Sequence, residues 1–322
     1  MKMMKLYAVL LLALCGQITV NAQEVAAQNS VPYYKYRVTL KDKKSNDFSV
    51  KHPEAFLSQK ALDRRHKQKI KIDETDLPVS QKYLNIIHET GVKIEHTSKW
   101  NNTVLVGTSD STLADKIAEL SCVKAVRKVA FYPGESAQPE RSKTVMPLDS
   151  TKATFQKLVD TIKQLTESNS EPGSMVRRSV NIHVPDTDEY YGAAYTQIKQ
   201  LNGKALHQSG YKGEGMTIAV IDGGFTNADI LPILKNTKIL GTKDFVHRKN
   251  DFYDTGSHGM MVLSCIGANT PGTIVGTAPE ASFWLLLSED GESEQLVEED
   301  NWAAAIEFAD SVGADVINTS LG

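Results

Sequence analysis

Alternating apolar and polar positions recur at Tyr36 to Leu40, Val92 to His96, Thr103 to Val106 and Val123 to Val129, the period-two signature of half-buried strands. Between them the spacing is helical. Gln81 to Glu89 brings Tyr83, Ile86 and Ile87 to one side, and Ser111 to Leu120 brings Leu113, Ile117 and Leu120 together behind an Asp110-Ser111 start. With Val50 to Pro78 set aside, residues 31–132 read strand, helix, strand, strand, helix, strand. That order predicts an α+β ferredoxin-like unit, an antiparallel sheet carrying two helices on one face. The stretch set aside holds Lys60, Arg64, Arg65, His66, Lys67 and Lys69 interleaved with Ala61, Leu62 and Ile70, which reads as the polar face of one helix.

Across residues 133–189 the periodicity dissolves into Ser, Glu, Pro, Gly and Lys, with one helical stretch at Thr154 to Leu165 and a dibasic pair, Arg177-Arg178. This reads as a linker open to proteolytic nicking. Residues 190–322 change character again. Continuous apolar runs at Met216 to Ile221, Ser282 to Leu287 and Asp315 to Asn318 predict strands buried on both faces. Helices are expected at Thr196 to Gln208, at His258 to Ala268 with Met261, Val262, Cys265 and Ile266 inward, and at Gln295 to Val312 with Trp302, Ile306 and Ala309 as its apolar stripe. Glu298, Glu299 and Asp300 sit in the first turns of that last helix, where its dipole favours negative charge. Alternation of strands and helices predicts an α/β fold, a mostly parallel sheet with helices on both faces.

Composition narrows the class. A chain of 322 residues, 41% hydrophobic and 23% charged, has material for about two globular units. A formal net charge of -3 and a pI near 6.3 supply no field to gather phosphate backbones or anionic lipid, so no nucleic-acid partner is expected. The amino terminus carries Lys2 and Lys5, then an apolar run from Leu6 to Leu14, then Val20-Asn21-Ala22, which reads as an export signal over residues 1–22, removed after Ala22. The run is too short for a permanent membrane span, and Leu14 before Cys15 is the wrong residue for lipoprotein processing. Secretion follows as the expected destination. Cys122 and Cys265 remain after removal of the signal, too few for a disulfide framework, and both read as buried hydrophobes.

Candidate chemistry lies in the last segment. Asp222 ends the apolar run that starts at Met216 and precedes Gly223-Gly224; the carboxyl edge of a parallel sheet is where functional groups are presented. A carboxylate in that position needs a partner or serves as a turn cap. His258 lies 36 residues downstream in Asp254-Thr-Gly-Ser-His-Gly, where Ser257 is the expected cap of a helix that holds the imidazole at its start. An imidazole held by a carboxylate is suited to general-base work on a hydroxyl. Asp254 and His258 at i and i+4 would form half a metal site, but no second His or Cys cluster completes it, and no metal ligand is assigned.

Several blocks in order carry a family resemblance. Leu206-His-Gln-Ser-Gly-Tyr211, Gly213-Glu-Gly215 and Ile218-Ala-Val-Ile-Asp-Gly-Gly224 resemble the opening of a subtilisin-family catalytic domain through its Asp motif. Ser257-His258-Gly259 is similar to that family's His motif, and Gly276-Thr-Ala-Pro-Glu-Ala281 and Asp315-Val-Ile-Asn-Thr-Ser-Leu-Gly322 resemble two further blocks. The resemblance implies a subtilisin-like catalytic domain, incomplete in this chain, preceded by an inhibitor-like propeptide over residues 31–132 that acts as the protein's own intramolecular inhibitor and folding chaperone. It implies a secreted serine endopeptidase precursor that hydrolyses polypeptide substrates, with Asp222 orienting His258, His258 as general base, and Ser320, Leu321 and Gly322 as a substrate-pairing edge. Structural calcium is common in the family, but the sequence does not place its ligands.

Gly223 departs from the family's hydroxyl residue beside the Asp, and Met260 departs from its Thr after His-Gly. The family's Gly-Thr-Ser-Met block and its oxyanion Asn do not occur before Gly322, and Gly107-Thr108-Ser109 belongs to the first unit, so the 322-residue polypeptide alone is expected to be inactive. A second reading stays open: a non-catalytic propeptide-like inhibitor or folding chaperone attached to a degenerate protease half. A nucleotide-binding turn built on Gly213 and Gly215 does not fit, because those glycines precede the strand rather than follow it.

Overall fold

The computed structural model describes residues 31–133, 188–246, 252–291 and 293–321. In chain order the elements are β1 (Tyr33–Leu40), α1 (Gln59–Gln68), α2 (Gln81–His88), β2 (Lys93–Ser98), β3 (Thr103–Thr108), α3 (Leu113–Ala118) and β4 (Val123–Tyr132). The order continues with α4 (Asp188–Tyr191), α5 (Tyr195–Gln200), α6 (Gly203–Gln208), β5 (Thr217–Asp222), β6 (Lys238–Asp244) and α7 (His258–Gly267). It ends with β7 (Asn269–Thr270), β8 (Ile274–Val275), β9 (Ser282–Leu287), α8 (Val297–Ser311) and β10 (Val316–Thr319). The expected export signal, the Thr154 to Leu165 helix, Arg177-Arg178 and Gly322 lie outside the described residues.

These elements form two compact units. In the first, β1 to β4 make one sheet in the order β2-β3-β1-β4, with antiparallel pairing throughout. Alternate residues of the strands, Val38, Leu40, Val104 and Val106, are buried with Ile87 of α2 and Ile117 of α3. Period-two strands and period-3.6 helices thus meet in one core, as the patterning requires.

The second unit takes in residues 48–77 as well as most of the chain beyond residue 187. The basic segment set aside in the sequence therefore belongs by its contacts to this unit. Its sheet runs β10-β5-β9-β6, all parallel. One face of β5 and β9, with Ile218, Val220, Phe283 and Leu285, packs on Leu263 of α7. The opposite face, with Ala219, Ile221 and Leu286, packs on Ala304, Ala305 and Ala309 of α8. Two cores back to back explain why these strands read as unbroken apolar runs; each fully buried Leu or Phe contributes about 2 kcal/mol. β6, with Lys238, Lys243 and Asp244 in seven residues, gives no comparable run and left no signal.

Several local expectations are corrected. The single helix over Thr196 to Gln208 is two helices, broken where Asn202 takes a left-handed φ of 55°. The buried side of α7 is Gly259, Leu263, Ser264 and Gly267, with Val262 and Ile266 partly buried; Met261 and Cys265 are exposed. Cys122 is buried, so only that cysteine behaves as the expected hydrophobe. On α8 the inward side runs through Asn301, Ala305 and Ala309, and Trp302 is exposed. Ser257 makes no side-chain cap. Arg65, read as part of a solvated face, is 4% exposed.

Candidate active site

Asp222 closes β5 between β9 and β10, the central position of the parallel sheet, and its side chain is wholly buried. A carboxylate taken out of water is costly unless donors surround it. Here one oxygen, Oδ1, accepts the backbone N–H of Gly223 at 2.7 Å, and Nδ1 of His258 lies 3.0 Å from both Oδ1 and Oδ2. The imidazole Nδ1–H therefore donates to the carboxylate, which leaves Nε2 as the basic nitrogen. Contrast in exposure shapes the pair: the His258 side chain is 59% exposed and the Asp222 side chain 0%.

The two segments that carry this pair are stitched to each other. Phe225 N–H donates to Thr255 Oγ1 at 3.0 Å, Thr226 N–H to Gly256 O at 3.0 Å, and Met260 N–H to Gly224 O at 3.2 Å. Thr226 Oγ1 also donates to Thr255 O. Phe225 and Phe252 stack with centroids 5.4 Å apart and planes 10° from parallel. Close approach is possible because three residues lack side chains. A Cβ on Gly224 would overlap the backbone of Gly256, and a Cβ on Gly259 would lie 2.7 Å from Asp222 Cβ and Gly224 O. The glycines after the Asp and around Ser257-His258 are thus packing residues as much as turn residues.

Sequence reasoning paired Asp222 with His258 but passed over Phe225, Phe252 and Thr255, which hold the pair in place. Glu289, two residues after β9, approaches the same region. Its Oε2 comes within 2.9 Å of where a residue-223 Cβ would stand, so Gly223, where the family has a hydroxyl residue, leaves room for a second carboxylate beside the pair. Ser320 and Leu321 follow β10 rather than extend it: Ser320 is exposed and donates to Asn318 Oδ1 at 3.2 Å, while Leu321 packs partly buried on the α8 side of the sheet. His207, in contrast to His258, is buried and structural. Its Nε2–H donates to Thr277 O at 3.0 Å and its Nδ1 accepts from Tyr191 Oη at 3.1 Å, tying α4 and α6 to the loop before β9. A surface depression lined by Lys60, Thr217, Lys238 and Ser282 lies at the amino ends of the strands, the edge opposite Asp222. Among the described residues no group of three or more His, Cys, Asp or Glu is placed to hold a metal ion. No described helix is long and apolar enough to cross a membrane.

Residues 35–144 match the Peptidase S8 propeptide domain of Bacteroidota, and residues 213–322 match the Subtilase family. Subtilisin E of Bacillus subtilis (strain 168) is 33% identical over 139 residues, covering 42% of this chain and 34% of that protein. Subtilisin of Bacillus pumilus is 32% identical over 130 residues, covering 39% of this chain and 44% of that protein. The PI-type proteinase of Lactococcus lactis subsp. cremoris is 30% identical over 151 residues but only 8% of its own length is covered. The chain spans about a third of the length of subtilisin E. A crystal structure of an epidermin leader peptide processing serine protease from Staphylococcus aureus aligns over 89% of this chain with 14% identity and a TM-score of 0.44, too low to carry weight. The chain therefore carries a region matching the Peptidase S8 propeptide domain followed by a region matching the Subtilase family.

Proposed function

We propose that the chain is part of a secreted serine endopeptidase precursor in which Asp222 and His258 are the acid and base members of an Asp-His-Ser triad. The observation that carries this is the 3.0 Å placement of His258 Nδ1 against both oxygens of a fully buried Asp222, at the carboxyl edge of a parallel sheet. In this reading the buried carboxylate holds one tautomer and stabilises the imidazolium, while Nε2 takes the proton of a serine hydroxyl and returns it to the leaving amine. The reading requires a serine nucleophile and an oxyanion donor to complete the site.

The remaining assignments follow from the same reading. Residues 1–22 direct export, residues 31–132 act as an inhibitor-like propeptide, residues 133–189 form the linker that is cut, and residues 190–322 begin the catalytic domain. Polypeptide substrates would pair along Ser320, Leu321 and Gly322, the segment that follows β10. The test is made on the complete gene product. Asp222→Asn should lower kcat/KM by about four orders of magnitude with KM nearly unchanged, and His258→Ala by at least as much. If either folded variant keeps activity within tenfold of the parent, the assignment is wrong.

A further inference from the structure

Residues 48–77 are an excursion whose two ends stay together. Asn46 Nδ2 donates to Pro78 O at 2.6 Å, and Ser80 Oγ donates to Ser45 O at 3.1 Å, so the first unit is closed at the base of the excursion. The excursion itself packs in the second unit, on the carboxyl end of α8. That end needs such a partner. The last turn of α8 has no basic residue and includes Asp310, so its unpaired carbonyls, its dipole and its side-chain charge are all negative.

Helix α1 supplies the complement. The Arg65 guanidinium donates twice to Asp76, Nη1 to Oδ2 at 2.9 Å and Nη2 to Oδ1 at 2.8 Å, and Nη2 also donates to Asp310 Oδ2 at 2.7 Å. Burial works against the charge on Arg65, but the bonds to Asp76 and Asp310 more than reverse this and hold its pKa above the ordinary value. Asp76 is itself fixed by the capping box it makes with Asp73, so the guanidinium is aimed before it meets Asp310. Arg64 Nη2 donates to Asp310 Oδ1, Lys60 Nζ sits 3.1 Å from Asp315 Oδ2, and Ser58 N–H donates to Ser311 O at 3.0 Å. Gly313, at φ +81°, permits the approach: a Cβ there would stand 2.7 Å from Ala61 N. The Nε atoms of both arginines are buried without a hydrogen-bond partner, a cost that the bonds to Asp76 and Asp310 offset.

We infer that residues 48–77 are an anchoring arm that keeps the prosegment bound to the catalytic unit after the linker is cut, with Lys60, Arg64 and Arg65 gripping Asp310 and Asp315. The inference rests on the precursor reading, and it assigns to this segment a retention role that neither family match describes. The test uses the 322-residue chain with one site for a sequence-specific protease placed between residues 145 and 175, and measures how fast the two fragments separate after cutting. The parent fragments should co-elute on gel filtration. Asp310→Asn, and separately replacement of residues 49–76 by a short Gly-Ser bridge across the closed base, should each raise the dissociation rate at least tenfold. Dissociation within twofold of the parent, in variants whose circular dichroism is unchanged, overturns the arm. The measurement reads fragment separation and not turnover, so a failed protease assignment would leave it unaffected, and a failed arm would leave the triad assignment standing.

Discussion

Gly224 and Gly259 show how a single side chain governs the Asp222–His258 pair. An added Cβ at residue 224 meets the Gly256 backbone, which has no rotamer to move out of the way. Gly224→Ala should therefore destabilise the fold by about 3 kcal/mol, read as a lowered midpoint in urea, and separate the two segments that the bonds from Phe225 and Met260 hold together. The two cysteines differ just as plainly. Cys265 is exposed and Cys122 buried, with burial holding its thiol pKa above the ordinary value. A thiol reagent applied to the folded chain should label Cys265 rapidly and Cys122 only on unfolding. Glu298 gives a pH dependence with a definite sign. Burial first, then the charges of Glu289, Glu294 and Asp290, push its pKa from 4.5 up to about 7, against the N–H that Asp290 donates to it. The folded state holds the proton where the unfolded state has lost it, so this residue's contribution is intact below about pH 4.5 and is lost as pH rises through 7. Glu298→Gln should raise the urea midpoint near pH 8 and leave it nearly unchanged near pH 4.5; equal shifts at both would refute the assignment.

At the scale of the element, α7 and α8 illustrate what periodicity does and does not decide. Both helices are apolar on more than one side, so spacing alone admits several inward faces. The sheet selects one: Leu263 enters the core with Val220 and Phe283, and Met261 is left half exposed. Leu263→Ala should cost about 2–5 kcal/mol in unfolding free energy and Met261→Ala about 0.5 kcal/mol or less. On α8 the acidic start was legible as dipole compensation, yet burial raises the pKa of Glu298 to about 7 despite the helix end. The opposite end of α8 was silent in sequence, since nothing local shows that Asp310 is met by arginines 245 and 246 positions away.

For the whole molecule, the chain order of elements and their spatial grouping diverge at residues 48–77. That segment sits between β1 and α2 in sequence, and its contacts are with α8 and the start of β5. Excising it should lower the thermal midpoint of the second unit, which loses the Arg65 and Lys60 ion pairs, while amide exchange in β1 and β3 stays as slow as in the parent. Retained midpoints in both units would show the segment to be energetically idle.

The sequence by itself determined the four strands of the first unit and β5, β9 and β10 of the second, the helices α2, α3, α7 and α8, the α+β followed by α/β class, and the partnership of Asp222 with His258. Each of these is written locally, as a period, a capping residue or an ordered motif. Only the tertiary structure decided which face of α7 turns inward, that Cys265 is exposed, that Glu289 fills the space beside Gly223, and that the basic helix docks rather than faces water. Those outcomes depend on which surfaces meet, and in the case of Arg65 on a carboxylate far away in the chain, so no window of neighbouring residues contains them.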